Sequence, residues 1–402
     1  MTSSILHVYH PSRNLNLLEH TPYGPTSSAP PSSHASQPPD HILLFVGGMF
    51  DTFNHPHYVS DLAHLFLISS TSHQPWRVMH VQLSSAGRAW GIFSIDRDIE
   101  EMATAITFIR TKLYTHKYID IVLMGHSTGC QDIMRYLTAL NPLNPRNAAR
   151  PSVEGAILQA PVSDRDAVLH TIDDEDAPET RKAYDAAMKI VKSTAEKDRR
   201  NVILPMNLTK PLFAPAPINI ERFLSLVSPD SPQNPSVEDF FSHDLGDHIF
   251  QRTFGSIGKN GVLQLSSQSG RTQGSKSNEQ SPIPTLLVLM SDSDENVRSH
   301  IVSQKNSLNQ WGKALTHESG CLLDPASDVI LNAIHDVGGD DWPSQEARLV
   351  NLRAAVLSYL SSRVGDIGSE AWDTWRRDRE KVMRLKRDDG RDVNAQVGVL
   401  KL

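Results

Sequence analysis

Ile121-Val-Leu-Met-Gly-His-Ser-Thr-Gly-Cys130 decides how this chain is read. A short β-branched and aliphatic run ends at Gly125. Ser127 then stands between Gly125 and Gly129, directly before a segment with helical periodicity. A serine in that strand-turn-helix setting fits the G-x-S-x-G nucleophile elbow. The turn must be cramped for the hydroxyl to project from the sheet edge, and the flanking glycines let strand and helix approach without a Cβ clash. The helix aims its free N–H groups at the point where an ester carbonyl gathers charge. A glycine-bounded turn capped by Ser127 is the plainer alternative.

Upstream, Ile42-Leu-Leu-Phe-Val46 is apolar on both faces, as a strand buried in a parallel sheet must be. It runs into Gly47-Gly48-Met49-Phe50-Asp51-Thr52, a turn whose amides can face the elbow. The main-chain N–H groups of Met49 and Thr128 are the candidate oxyanion donors. Residues 5–9 and 15–19 read as a strand pair. The Pro/Ser/Thr-rich stretch 22–40 reads as a flexible loop. Residues 58–69 carry a helical face, and 76–83 are the next strand. The loop 84–91 offers Arg88 and Trp90 either to the mouth of a site or, for Trp90, to cover of the sheet edge. Ile95, Ile99, Met102, Ile106, Ile109 and Leu113 mark an amphipathic helix over 95–113.

Downstream, residues 153–160 read as a strand, and the pattern then changes. A charged helix spans 178–200, and seven prolines between Pro205 and Pro235 interrupt any regular element. Long irregular insertions at strand ends commonly form lids. The acidic run Asp173–Asp176 reads as solvated, since its spacing specifies no oxygen cage for calcium or magnesium. The sheet resumes at 285–290, a short strand-like run covers 328–334, and helices follow over 347–364 and 372–387. The organisation is therefore α/β: a core of 1–160 and 283–364 with a mostly parallel central sheet flanked by helices, a lid or cap insertion at 161–282, and a helical extension and tail at 365–402.

A serine hydroxyl is a poor nucleophile at neutral pH and needs a base, itself oriented by a carboxylate. The acid follows the strand 285–290, where Asp292 and Asp294 both stand; Asp294 is favoured. His335 follows the last strand-like run. Ser127, Asp294 and His335 thus occur in the Ser…Asp…His chain order of the α/β-hydrolase fold, each just past a strand end. His126, tied to the turn, reads as a flanking residue that points away from the hydroxyl. Such acyl transfer to water requires neither cofactor nor metal.

A formal net charge of −7 with 21% charged residues argues against nucleic acid as a partner. No 18-residue apolar run and no charged-then-apolar start appear, so neither a membrane span nor a signal peptide is expected. Two cysteines, Cys130 and Cys321, make no disulfide framework and suit a reducing, cytoplasmic setting. Cys130 is expected to pack against the sheet.

Val46-Gly-Gly-Met-Phe-Asp-Thr52, Gly125-His-Ser-Thr-Gly-Cys-Gln-Asp132, Ser293-Asp-Glu-Asn-Val297 and His335 together resemble the fungal DUF1749-type α/β-hydrolase family. That family includes siderophore esterases acting on fusarinine-type and triacetylfusarinine-type compounds. The similarity runs from about residue 5 to 362 and is most specific at Cys130-Gln131-Asp132. It implies an intracellular serine esterase that opens ester bonds between hydroxyornithine-derived units of an iron chelate and helps release the iron. The chain departs from the commoner Asp-Glu-Tyr-Val-Pro form at Asn296 and Arg298. Arg298 and Arg88 suit an anionic substrate, or simply the surface. Fold alone does not name a substrate, so a general carboxylesterase, lactonase or thioesterase remains an alternative, as does a non-catalytic scaffold.

Overall fold

All six residues of His41–Val46 (β3) are buried, because this strand lies in the middle of a nine-stranded sheet. The computed structural model describes residues 3–21, 41–53, 55–60, 62–63, 76–115, 119–265, 283–297, 301–337 and 342–364. The readings of 22–40, 372–387 and the tail lie outside them.

The other strands are Ser3–His10 (β1), Leu15–Thr21 (β2), Trp76–Val81 (β4), Asp120–His126 (β5), Gly155–Gln159 (β6), Thr285–Ser291 (β7), Leu322–Leu323 (β8) and Asp328–Ile330 (β9). Their order is β1-β2-β4-β3-β5-β6-β7-β8, with β9 also paired to β7. The hairpin β1–β2 joins antiparallel; β4, β3, β5, β6, β7, β8 and β9 pair parallel. Alternation along β3 sends Ile42, Leu44 and Val46 to one apolar layer and Leu43 and Phe45 to the other. Helices Ile95–Phe108 and Gly129–Thr138 cover the first face, and Trp342–Val364 supplies Leu352, Val356 and Leu360 to the second. Parallel register sets Val46 opposite Gly125 and His126 opposite Gln159. The glycine turn after β3 and the elbow after β5 therefore meet at one sheet edge.

The insertion divides in two. Helices Asp164–Ile172, Pro178–Ser193 and Ile220–Val227 share a separate core built on Val168, Val191, Ile218 and Phe223. Residues from Phe240 to Leu263 instead join the layer beneath the main sheet, where Phe254 stacks on Trp311 at 5.2 Å. The aromatic rings decide this: they find the large apolar face of helix Ile301–Ala314 and not the small cap. The charged helix stops at Ser193, earlier than the sequence reading, because the Ser193 and Thr194 hydroxyls turn back to the Ile190 carbonyl. Among the described residues no helix is long and apolar enough to cross a membrane.

Candidate active site

Ser127 adopts φ 55°, a left-handed conformation rare outside glycine, at the end of β5. Its N–H donates to the Gln159 carbonyl at 3.2 Å. Gly129 permits the turn: a Cβ there would lie 2.3 Å from the Val46 carbonyl oxygen. Cys130 is fully buried, and its thiol donates to the carbonyls of Gly125 at 3.3 Å and Gln159 at 3.2 Å. Gln131 Nε2 reaches Val162 O at 3.1 Å and Asp164 Oδ2 at 2.9 Å, fastening the elbow helix to the start of the insertion.

The glycine turn lies directly against the serine. A Cβ at Gly48 would come within 2.6 Å of Ser127 Cβ and 3.2 Å of its Oγ. The Gly48 N–H donates to Asp51 Oδ2 at 2.6 Å, and Asp51 N–H returns to the Gly48 carbonyl at 3.1 Å. Gly48 is thus occupied, whereas the main-chain N–H groups of Met49 and Thr128 donate to no group among the described residues.

His335 Nδ1 lies 2.7 Å from Asp294 Oδ2, with the carboxylate side chain only 2% exposed. Asp292 does something different: its Oδ2 accepts from Asn332 N–H at 3.2 Å and braces the loop before the histidine. Glu295 Oε2 accepts the His335 main-chain N–H at 3.0 Å. Burial lowers the imidazole's proton affinity, but the Asp294 hydrogen bond and the charges of Asp294, Glu295 and Asp51 outweigh it, so the His335 pKa is raised.

The His335 ring lies 4.8 Å, centroid to centroid, from that of His126, the neighbour of Ser127. Gln159 also spans the two segments, since its Nε2 donates to the His335 carbonyl at 3.4 Å while its own carbonyl holds Ser127. Among the described residues Ser127 Oγ and His335 Nε2 form no hydrogen bond, and this gap is one that catalytic pairs commonly close only with substrate bound.

Trp90 is 2% exposed and packs between Phe50 and Phe213, and it lines a small cavity with Gly48, Met49 and Thr128. Phe213, over a hundred residues downstream, covers one side of it. Arg88 is exposed, and Arg298 lies outside the described residues. The sequence reading gave His126 only a flanking place and assigned no role to Asp51, His55 or Gln159. Asp51 is buried and accepts from His126 Nδ1 at 2.8 Å and His55 Nδ1 at 2.5 Å. The one available signal was its position in the glycine turn. Asp166, His243 and Asp244 bring ligand atoms within 4.8 Å of one another. Arg165 already grips Asp244 at 2.5 and 2.9 Å, so that group is an ion-pair network.

The family described as protein of unknown function DUF1749 matches residues 4–361. This chain belongs to it. A similar protein is the fusarinine C esterase sidJ of Aspergillus fumigatus, 34% identical over an alignment of 348 residues that covers 81% of this chain and 90% of that protein. Esterase AN6793 of Emericella nidulans is 31% identical over 359 residues, 81% of this chain and 87% of the other. Among solved structures, siderophore hydrolase EstB from Aspergillus fumigatus aligns with a TM-score of 0.70 at 30% identity, covering 91% of this chain and 99% of that one. The fold of this DUF1749 chain is that of the α/β-hydrolases.

Proposed function

We propose that this chain hydrolyses ester bonds of fusarinine-type hydroxamate siderophores through a Ser127–His335–Asp294 acyl-enzyme mechanism. It is a carboxylic ester hydrolase, as its relatives named esterases and its fold require. The observation that carries the triad reading is the 2.7 Å bond from His335 to buried Asp294, on the same sheet edge as a serine held at positive φ.

In the first half-reaction His335 Nε2 accepts the Ser127 proton as Oγ attacks the ester carbonyl. Asp294 holds the ring through Nδ1 and stabilises the imidazolium that forms. The amides of Met49 and Thr128 receive the oxyanion; losing one such donor costs on the order of 10²–10³ in kcat. The tetrahedral intermediate collapses, and the alcohol departs with the proton from His335. Water, deprotonated by the same imidazole, then attacks the acyl-enzyme and releases the acid and free Ser127.

The iron-loaded chelate is part of the same proposal, as substrate, and so is a cytoplasmic site of action, which two buried free cysteines suit. The test compares ferric and iron-free fusarinine-type trimers with p-nitrophenyl esters. Preferential turnover of the trimers is the expected result. Rapid hydrolysis of simple esters with no turnover of either trimer would move the assignment to a general carboxylesterase.

A further inference from the structure

Asp51 moves no proton in the mechanism above, yet it is 4% exposed and three donors converge on its carboxylate. Gly48 N–H and His126 Nδ1 meet Oδ2 at 2.6 and 2.8 Å, and His55 Nδ1 meets Oδ1 at 2.5 Å. A carboxylate buried so deeply is costly unless its lone pairs are filled, and here they are filled from two different loops. On its other edge, His126 Nε2 lies 3.3 Å from the His335 main-chain carbonyl, and donating there and to Asp51 at once uses both N–H groups of the imidazolium ring. A continuous path therefore runs from the amide of the glycine turn, through Asp51 and His126, to the backbone of the general base.

We infer that Asp51 is a positioning residue that, through His126, locks the oxyanion loop and the histidine loop into one unit. This rests on the reading of Ser127 and His335 given above. The two loops leave different strands, β3 and β9, and the sheet places β5, β6 and β7 between them; no direct hydrogen bond joins Gly48 to His335 among the described residues. Something must fix their separation, because a displacement of about 1 Å between donors and base is enough to cost about 10² in rate. Burial works against the Asp51 charge, but the His126 and His55 hydrogen bonds, the His126 charge and the Gly48 N–H outweigh it and hold the carboxyl well below the usual range. Asp51 is therefore a carboxylate wherever the enzyme works. His55 is the lesser partner, with a side chain 44% exposed.

The experiment counts active sites by fluorophosphonate labelling and measures p-nitrophenyl ester turnover per labelled site. Asp51→Asn replaces an acceptor oxygen with an amide donor facing other donors, so kcat per site is expected to fall about 10²-fold with KM within about threefold. His126→Gln removes the ring that joins Asp51 to His335 and leaves the Gly48 and His55 bonds to Asp51 in place, and it should lower kcat per site by about tenfold or more; it carries the test if Asp51→Asn does not fold. The double variant should be no worse than Asp51→Asn alone, as for two members of one path. A reduced number of sites with unchanged kcat per site would overturn the inference and leave a stabilising ion pair. Ser127→Ala, measured in parallel, separates the two readings. Abolished labelling there upholds the nucleophile whatever Asp51 does, whereas surviving turnover removes the nucleophile and this inference with it.

Discussion

His335 and Asp294 are 41 residues apart in the chain and joined by a 2.7 Å bond from Nδ1 to Oδ2, while Asp292, two residues earlier, points its carboxylate at the Asn332 amide. Asp294→Asn should therefore lower kcat by on the order of 10³–10⁴ with the fold intact, since the amide orients the ring wrongly. Asp292→Asn should cost about 1 kcal/mol of stability and retain most of the turnover. Steady-state kinetics with thermal melts on both variants checks this, and a larger kinetic loss for Asp292→Asn would reverse the roles.

The base must be neutral to accept the serine proton. Because the His335 pKa is raised, kcat/KM should fall on the acid side with a midpoint above the ordinary histidine value of about 6.5. Glu295 is among the charges that raise it, so Glu295→Gln should move that midpoint down. A kcat/KM profile for each enzyme decides, and a midpoint below the ordinary value in the parent enzyme would contradict the geometry.

Two glycines separate activity from folding. Gly48→Ala drives a methyl against Ser127 Cβ and should abolish labelling of the serine while the protein stays folded. Gly129→Ala presses on the Val46 carbonyl, part of a central strand, and should destabilise by about 3 kcal/mol. Chemical denaturation of both proteins tests the contrast; equal stability losses would erase it.

Asp98 sits at 1% exposure with Oδ1 unpartnered, near Asp132 and the cap's Arg222. Burial lifts its carboxyl up to about 7, with Arg222 opposing. Burial and the Asp98 charge likewise hold Asp132 well above the usual carboxylate range. A folded pKa above the unfolded value of about 3.9 gives stability that is complete below that value and is lost as pH rises through about 7. Tm should fall from pH 5 to 8.5, and Asp98→Asn should unfold at a higher temperature than the parent at pH 8.5. A parent Tm that is flat or rising over this range would contradict the sign.

The sheet was readable because β3, β5 and β7 are uninterrupted apolar runs, and the proposed triad could be put forward because each candidate follows one of the strand ends. What escaped reading is non-local. Helix Ile301–Ala314 buries Gln304 beside Leu308 and Trp311, and a polar residue in the apolar stripe hides the period. That buried Gln304 is explained only in three dimensions, where its Nε2 caps the Ser291 carbonyl at 2.6 Å. β8 is two residues long, below any pattern. Trp90 could be read either as lining a site mouth or as covering the sheet edge, and nothing near it in sequence announces Phe213. Asp51 and His126 lie in motifs chosen for their glycines and serine, 75 residues apart, so their bond appears only once β3 and β5 are paired.

The most direct measurement is rapid-quench mass spectrometry of the enzyme with a fusarinine-type ester. The account predicts a transient adduct of one acyl unit on the peptide containing Ser127, absent in Ser127→Ala. Full turnover in Ser127→Ala, or an adduct on another residue, would contradict it.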